Sequence, residues 1–168
     1  MKRWLFLVFT LIFSAAIFAG CGSDKADTST LKVGVTNFAD SLEPTENYFG
    51  WTVMRYGMGE ALAKFDEKMN VQPWLAESWK ISDDHLTWTF KIRDGVKFSN
   101  GKDLTAEAVK ASIERAFAKN KRAETFFKYK EIKADGQNLI ITTEKPEPNM
   151  PGFLADPLFL IVDTSAEG

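Results

Sequence analysis

The sequence predicts a mixed α/β (α+β) domain, and three observations carry that prediction. Alternating apolar residues run from Trp79 to Ile92 across a polar turn, and a second hairpin signal, two segments about an Asp-Gly turn, runs from Tyr129 to Glu144. Between them, Val109, Ile113, Ala116 and Phe117 fall at i, i+4, i+7 and i+8, the stripe of a helix with one buried face. The chain has 168 residues, 45% of them hydrophobic, which is enough for one modest core.

Residues 1–20 have the three-part form of an export signal: Lys2 and Arg3, an apolar stretch from Trp4 to Phe18, then small residues. Cys21, the sole cysteine, follows Phe18-Ala19-Gly20, which resembles a bacterial lipobox and makes Cys21 the expected site of lipidation. Residues 21–30 are polar and aperiodic, the composition of a tether. With Cys21 lipidated, no thiol remains for a disulfide, so stability has to come from packing. Setting Lys2 and Arg3 aside with the leader leaves 19 basic against 23 acidic residues, a balance that argues against nucleic acid as a partner.

The folded part is expected over residues 31–168. Leu31, Val33 and Val35 alternate, which predicts a first strand over Leu31–Asn37, followed by a loop from Phe38 to Asn47 that carries Pro44. From Gly50 to Phe65 the period changes. Met54, Gly57, Met58, Ala61, Leu62 and Phe65 lie on one helical face, which predicts a helix over this span. Gly57 and Gly59 would each cost it about 1 kcal/mol relative to alanine and so suggest a close neighbour. Met54 and Met58 read as core rather than a metal site.

The hairpin that follows has Trp79 and Ile81 before the turn Ser82–His85, then Leu86, Trp88, Phe90 and Ile92 on the return, with Thr87, Thr89, Lys91 and Arg93 on the opposite face. Asp94-Gly95 and Asn100-Gly101 suit tight turns and bracket Val96-Lys97-Phe98, which reads as a third, short strand. Thr105 is placed to cap the next helix, with Glu107 in its first turn and Ser112 as the small polar residue on its buried face. Lys119, Lys121 and Arg122 suit the helix end, either as a solvated charge cluster or as an anion site centred on Arg122. In the second hairpin Asp135-Gly136 makes the turn and Leu139–Thr143 the return strand. Pro146, Pro148 and Pro151 end it; a short helix over Asn149–Ala155 and a buried strand over Phe159–Val162 complete the reading.

Little in the chain points to catalysis. His85, the one histidine, sits in an acidic turn beside Asp83 and Asp84, a solvated setting rather than a metal site. No serine has both a base and an orienting acid, and Gly57 and Gly59 lack the remaining spacing of a dinucleotide fingerprint. The expectation is a non-enzymatic protein with no cofactor and no metal. Tyr48, Trp51 and Arg55 are the binding candidates, because they lie in the loop and first helical turns that follow the first strand, where open sheets take their ligands. Packing is the alternative role for such aromatic residues.

The ordered run Leu75-Ala76-Glu77-Ser78-Trp79, Asp83-Asp84, Leu86-Thr87-Trp88-Thr89-Phe90, Ile92-Arg93-Asp94-Gly95-Val96-Lys97-Phe98 and Asn100-Gly101 resembles the signature of the family 5 solute-binding proteins. That family includes the oligopeptide, dipeptide and nickel receptors of bacterial ATP-binding cassette importers. The resemblance implies the first lobe of a two-lobed, class II periplasmic-binding-protein clamp, with a second lobe absent from this sequence. It also implies a cleft lined from the Tyr48–Arg55 segment and from the segment that holds Phe126. Where nickel receptors similar to this chain carry an arginine, Asp156-Pro157 stands, which speaks against a nickel chelate.

The function so implied is that of a lipid-anchored, outward-facing receptor that captures a small peptide or a metal chelate and hands it to ABC permease subunits. The alternative is a surface lipoprotein in which the first-lobe fold acts only as a structural or interaction module. With one jaw of the clamp, solute binding is expected to be weak.

Overall fold

The computed structural model describes residues 29–30, 33–35 and 40–166. The leader, Cys21 and most of the tether lie outside the described residues. The chain divides into two units, Met1–Thr36 and Asn37–Gly168. In the first, the expected strand over Leu31–Asn37 is not seen at its described positions: Val33–Val35 form no ladder, and Val33 and Val35 are exposed. Alternation specifies which face a strand would bury, but a strand also needs a hydrogen-bonded partner, and none among the described residues pairs with these.

The second unit runs α1 (Phe49–Arg55), β1 (Ala63–Phe65), β2 (Val71–Pro73), β3 (Ala76–Ile81), β4 (Thr87–Ile92), α2 (Ala106–Lys119), a 3-10 turn over Lys121–Thr125, β5 (Tyr129–Asp135), β6 (Asn138–Thr143) and α3 (Met150–Phe153), then further 3-10 turns at Pro157–Phe159 and Thr164–Ala166. β1 and β2 form a two-stranded antiparallel ribbon; the other strands make a four-stranded sheet in the order β3-β4-β6-β5. All its pairings are antiparallel, with Trp79 opposite Phe90, Trp88 opposite Ile141, and Ile132 opposite Ile141 from the other side. Both predicted hairpins are therefore present, joined side by side through β4 and β6.

The inner face carries Trp88, Phe90, Ile92, Leu139, Ile141 and Ile132, all buried, against Val109, Ile113 and Ala116 of α2. Burying the valine, leucine, isoleucine and phenylalanine side chains among these stabilises the unit by about 1.5–3 kcal/mol each. The indole N–H of Trp88 donates to the Glu147 carbonyl at 2.9 Å, so its burial leaves no orphan donor. Because β4 lies between two neighbours, Thr89 and Lys91 on the polar face are half-buried rather than fully wet. Thr105 caps α2 as expected, its Oγ1 accepting from the Ala108 N–H at 3.1 Å.

Further expectations are corrected. The helix predicted over Gly50–Phe65 ends at Arg55: Gly57 takes a positive φ of 69°, its N–H donates to Met54 O, and the Met58 N–H donates to Val53 O, a Schellman stop. Met58 is then 52% exposed, not core. Ala63–Phe65, the end of the expected helical face, is strand β1. Of the two glycines, only Gly59 makes the expected close approach; a Cβ there would meet Leu160 at 2.9 Å and Val53 at 3.0 Å.

Val96–Phe98 is not a strand but one half of a tight loop around Gly101, joined to the rest of that loop by a single bridge, Lys97 with Asp103. Of the buried strand expected over Phe159–Val162, Phe159, Leu160 and Ile161 are buried and Val162 is half-buried, and the segment is not a strand either. Its polar groups are met one at a time: Ile161 N–H donates to Glu60 O, and Ser112 Oγ donates to Leu160 O and accepts from the Val162 N–H. No helix among the described residues is long and apolar enough to cross a membrane.

Candidate functional site

α1 is a two-turn helix whose start is set by the loop before it. Glu43 lies in that loop and receives Arg115 of α2 through both guanidinium nitrogens, one at 3.0 Å. This contact with Arg115, supported by the hydroxyl and N–H of Thr45 and opposed by burial, lowers the Glu43 pKa to about 2. Thr45 is buried, and its carbonyl accepts from Asn120 Nδ2 at 2.7 Å. Gly50 packs directly on Pro157, where a Cβ would meet the Pro157 carbonyl oxygen at 2.5 Å. Only glycine permits that approach.

The anchored loop presents the first candidates. Tyr48 is 67% and Trp51 43% exposed, and Arg55 is exposed one helical turn beyond Trp51. Such aromatic exposure is not what packing alone would leave, since large aromatic side chains are otherwise drawn inward. Phe126 comes from the 3-10 turn region after α2 and is half-buried, in edge contact with Phe153 at 6.0 Å and Phe159 at 5.4 Å. The structure joins Tyr48 to Phe126 through Arg122: the guanidinium carbon lies 5.2 Å from the Tyr48 ring centre and 5.4 Å from that of Phe126. Trp51 and Arg55 share α1 with the Tyr48 end of this arrangement.

Arg122 is the element of the site that sequence spacing could not place. Its Nη2 reaches the Asp156 carboxylate at 3.4 Å, longer than the roughly 2.7–2.9 Å of a strong charge-assisted bond. Its Nε is buried and meets no acceptor among the described residues. Asp156 is held in turn as the cap of Pro157–Phe159, accepting from the Leu158 N–H at 2.9 Å. The result is a partly exposed cation between two aromatic faces, an arrangement suited to hold an anionic or polar group.

Elsewhere, a cleft of about 540 Å³ opens between the Gly57–Glu60 turn, the Val96–Leu104 loop and Ile161–Asp163. None of Tyr48, Trp51, Arg55 and Phe126 lines it. His85 sits at a positive φ of 58° in the β3–β4 turn, and the neighbouring Asp84 carboxylate is taken up by the Ser82 hydroxyl and the Leu86 N–H, which lower its pKa. Among the described residues no group of His, Cys, Asp and Glu is assembled that could hold a metal ion.

Comparison with known proteins gives consistent matches. Residues 70–168 match the family described as bacterial extracellular solute-binding proteins, family 5, middle. The nickel-binding protein NikA of Staphylococcus aureus is 31% identical over 157 residues, 93% of this chain and 31% of that relative. The glutathione-binding protein GsiB of Escherichia coli K12 is 33% identical over 111 residues, 64% of this chain and 22% of its own. A crystal structure described as a nickel ABC transporter from Bacillus halodurans superposes with a TM-score of 0.71 at 43% identity, covering 76% of this chain and 27% of that one. The chain thus spans 31% of the one curated relative and 22% of the other.

Proposed function

Because the chain belongs to the bacterial extracellular solute-binding proteins of family 5, we propose that it serves as the substrate-binding component of an ABC importer for small peptides or for nickel and other metal chelates. It captures solute outside the membrane and delivers it to the permease subunits, with no bond made or broken. In this reading Tyr48, Trp51, Arg55 and Phe126 face the solute, and Arg122 supplies the charge between them. Cys21 carries the lipid that holds the protein at the cell membrane, and residues 21–30 give it reach.

The observation that carries the proposal is the meeting of Tyr48 with Arg122 and Phe126, contributed by two segments far apart in the chain. Aromatic faces and an incompletely satisfied guanidinium offer both apolar area and a directional donor, the mixture found in small-molecule sites. Tyr48 is exposed beside this guanidinium, and Trp51 is exposed on the helix that Tyr48 precedes, so both present apolar area at the start of that helix.

The test is a heteronuclear NMR titration of the 168-residue chain with tri-alanine, glutathione and nickel–histidine, each carried to millimolar concentration. Shifts or line broadening should concentrate on Tyr48, Trp51, Arg55, Arg122 and Phe126 for at least one of the three. Perturbation confined to the cleft near Glu60 and Phe98, or none at all, would reject the site.

A further inference from the structure

Asn120 stands where α2 gives way to the 3-10 turn that carries Arg122. Its backbone closes the helix, N–H to Ala116 O at 3.0 Å, and opens the turn, accepting from the Ala123 N–H at 2.9 Å. Its side chain makes two more bonds. Oδ1 accepts from the Arg122 N–H at 2.9 Å, and Nδ2 donates to the Thr45 carbonyl at 2.7 Å.

Capping the turn requires only the Oδ1 acceptor, which Asp, Ser or Thr would supply equally well. The Nδ2 donor is what the amide adds, and it is spent on a loop 75 residues away in sequence. That loop leads within three residues from Thr45 to Tyr48, whose ring lies on the Arg122 guanidinium. One short side chain therefore bonds next to both partners of the Tyr48–Arg122 contact. The Glu43–Arg115 pair ties the same loop to α2. Its long side chains, however, can keep their ion pair through small displacements, whereas an amide with both ends bonded leaves little slack.

We propose that Asn120 is a positioning residue of the solute site, setting the separation between the Tyr48 face and the Arg122–Phe126 face. This rests on the reading that these residues face solute. Asn120 touches no solute itself; it acts through the Thr45 carbonyl and the Arg122 N–H.

The test uses ring-current shifts in the 168-residue chain, since the Tyr48 and Phe126 rings displace the side-chain resonances of Arg122. Asn120→Asp keeps the cap acceptor and removes the donor, and Asn120→Ser keeps the acceptor on a side chain too short to cap the turn and reach the Thr45 carbonyl together; Tyr48→Ala marks where Arg122 resonates without the tyrosine ring. In both Asn120 variants the Arg122 side-chain signals should move toward their Tyr48→Ala positions while amide shifts of the β3-β4-β6-β5 sheet stay put. Any solute found to bind should bind about tenfold more weakly, as expected for one lost positioning bond.

Unchanged Arg122 signals in a folded Asn120→Asp or Asn120→Ser variant overturn the proposal. If neither variant folds, amide exchange in the unmodified chain decides. The N–H groups of Phe49 and Trp51 should exchange in step with that of Arg122, and much faster exchange of the first two would show that the loop is not held. A chain in which Asn120 controls the ring currents but no solute perturbs them would instead overturn the solute reading on which this rests.

Discussion

Glu43 and Arg115 show how one ion pair can report on the fold. The Arg115 side chain is almost fully buried, and Glu43 keeps its charge down to about pH 2 because a guanidinium and Thr45 both bond to it. Its folded pKa lies below the ordinary value of 4.5, so its stabilising contribution is complete above that pH and is lost as the pH falls toward 2. Glu43→Gln should therefore flatten the acid limb of a plot of urea midpoint against pH and reduce stability at neutral pH by about 1.5–3 kcal/mol. Superimposable acid limbs for the two proteins would show that the pair contributes nothing. On the sheet, Trp88→Ala or Phe90→Ala should cost about 3–5 kcal/mol, because both side chains are buried against the core. Thr89→Ala, on the opposite face, should cost far less; equal urea midpoints for the three variants would contradict the register.

At the scale of elements, the end of α1 is a conformational decision made by one residue. Gly57 holds a left-handed φ with open space around it, so Gly57→Ala meets no clash and should cost about 1–2 kcal/mol through the backbone alone. Gly59→Ala has an ordinary φ but drives a methyl into Leu160 and Val53, an overpacking cost of about 1–3 kcal/mol. The two can be separated by a compensating change: Leu160→Ala, which opens space at Gly59, should lessen the effect of Gly59→Ala and leave that of Gly57→Ala untouched. A double-mutant cycle with no coupling between positions 59 and 160 would refute the packing account. The hairpins, by contrast, were legible from period-two alternation and turn dipeptides, and α2 from its cap and stripe, because each of those signals is local.

For the molecule as a whole, the candidate site lies open. Tyr48 and Trp51 are exposed, so a ligand there stays partly wet, and the translational and rotational freedom it loses is not offset by burial. The 168-residue chain should accordingly show no saturable calorimetric binding of tri-alanine or nickel–histidine at micromolar concentration. Tight binding abolished by Trp51→Ala would show that this surface suffices by itself. Membrane attachment is a separate expectation, resting on the leader and Cys21. Cys21→Ala should release the protein from the membrane fraction or leave it unprocessed, and a processed variant that remains membrane-bound would exclude lipidation as the anchor.

What the sequence determined by itself was set by neighbours along the chain: the alternation at Trp88 and Phe90, the Asp135-Gly136 turn, the Thr105 cap and the family signature from Leu75 to Gly101. Tertiary structure decided what depends on partners remote in sequence. The apolar spacing from Met54 to Phe65 continues a helical period past a glycine that stops the helix, because a period records side-chain character and not the φ of Gly57. Leu160 and Ile161 are buried without being a strand, because their polar groups are met by Ser112 and Glu60 instead of a ladder. Arg122 read as one of a cluster of charges at a helix end or as the centre of an anion site. Phe126 is its neighbour four residues on, but only the fold brings Tyr48 and Asp156 to it, because those contacts are made through space between segments whose local patterns carry no record of one another.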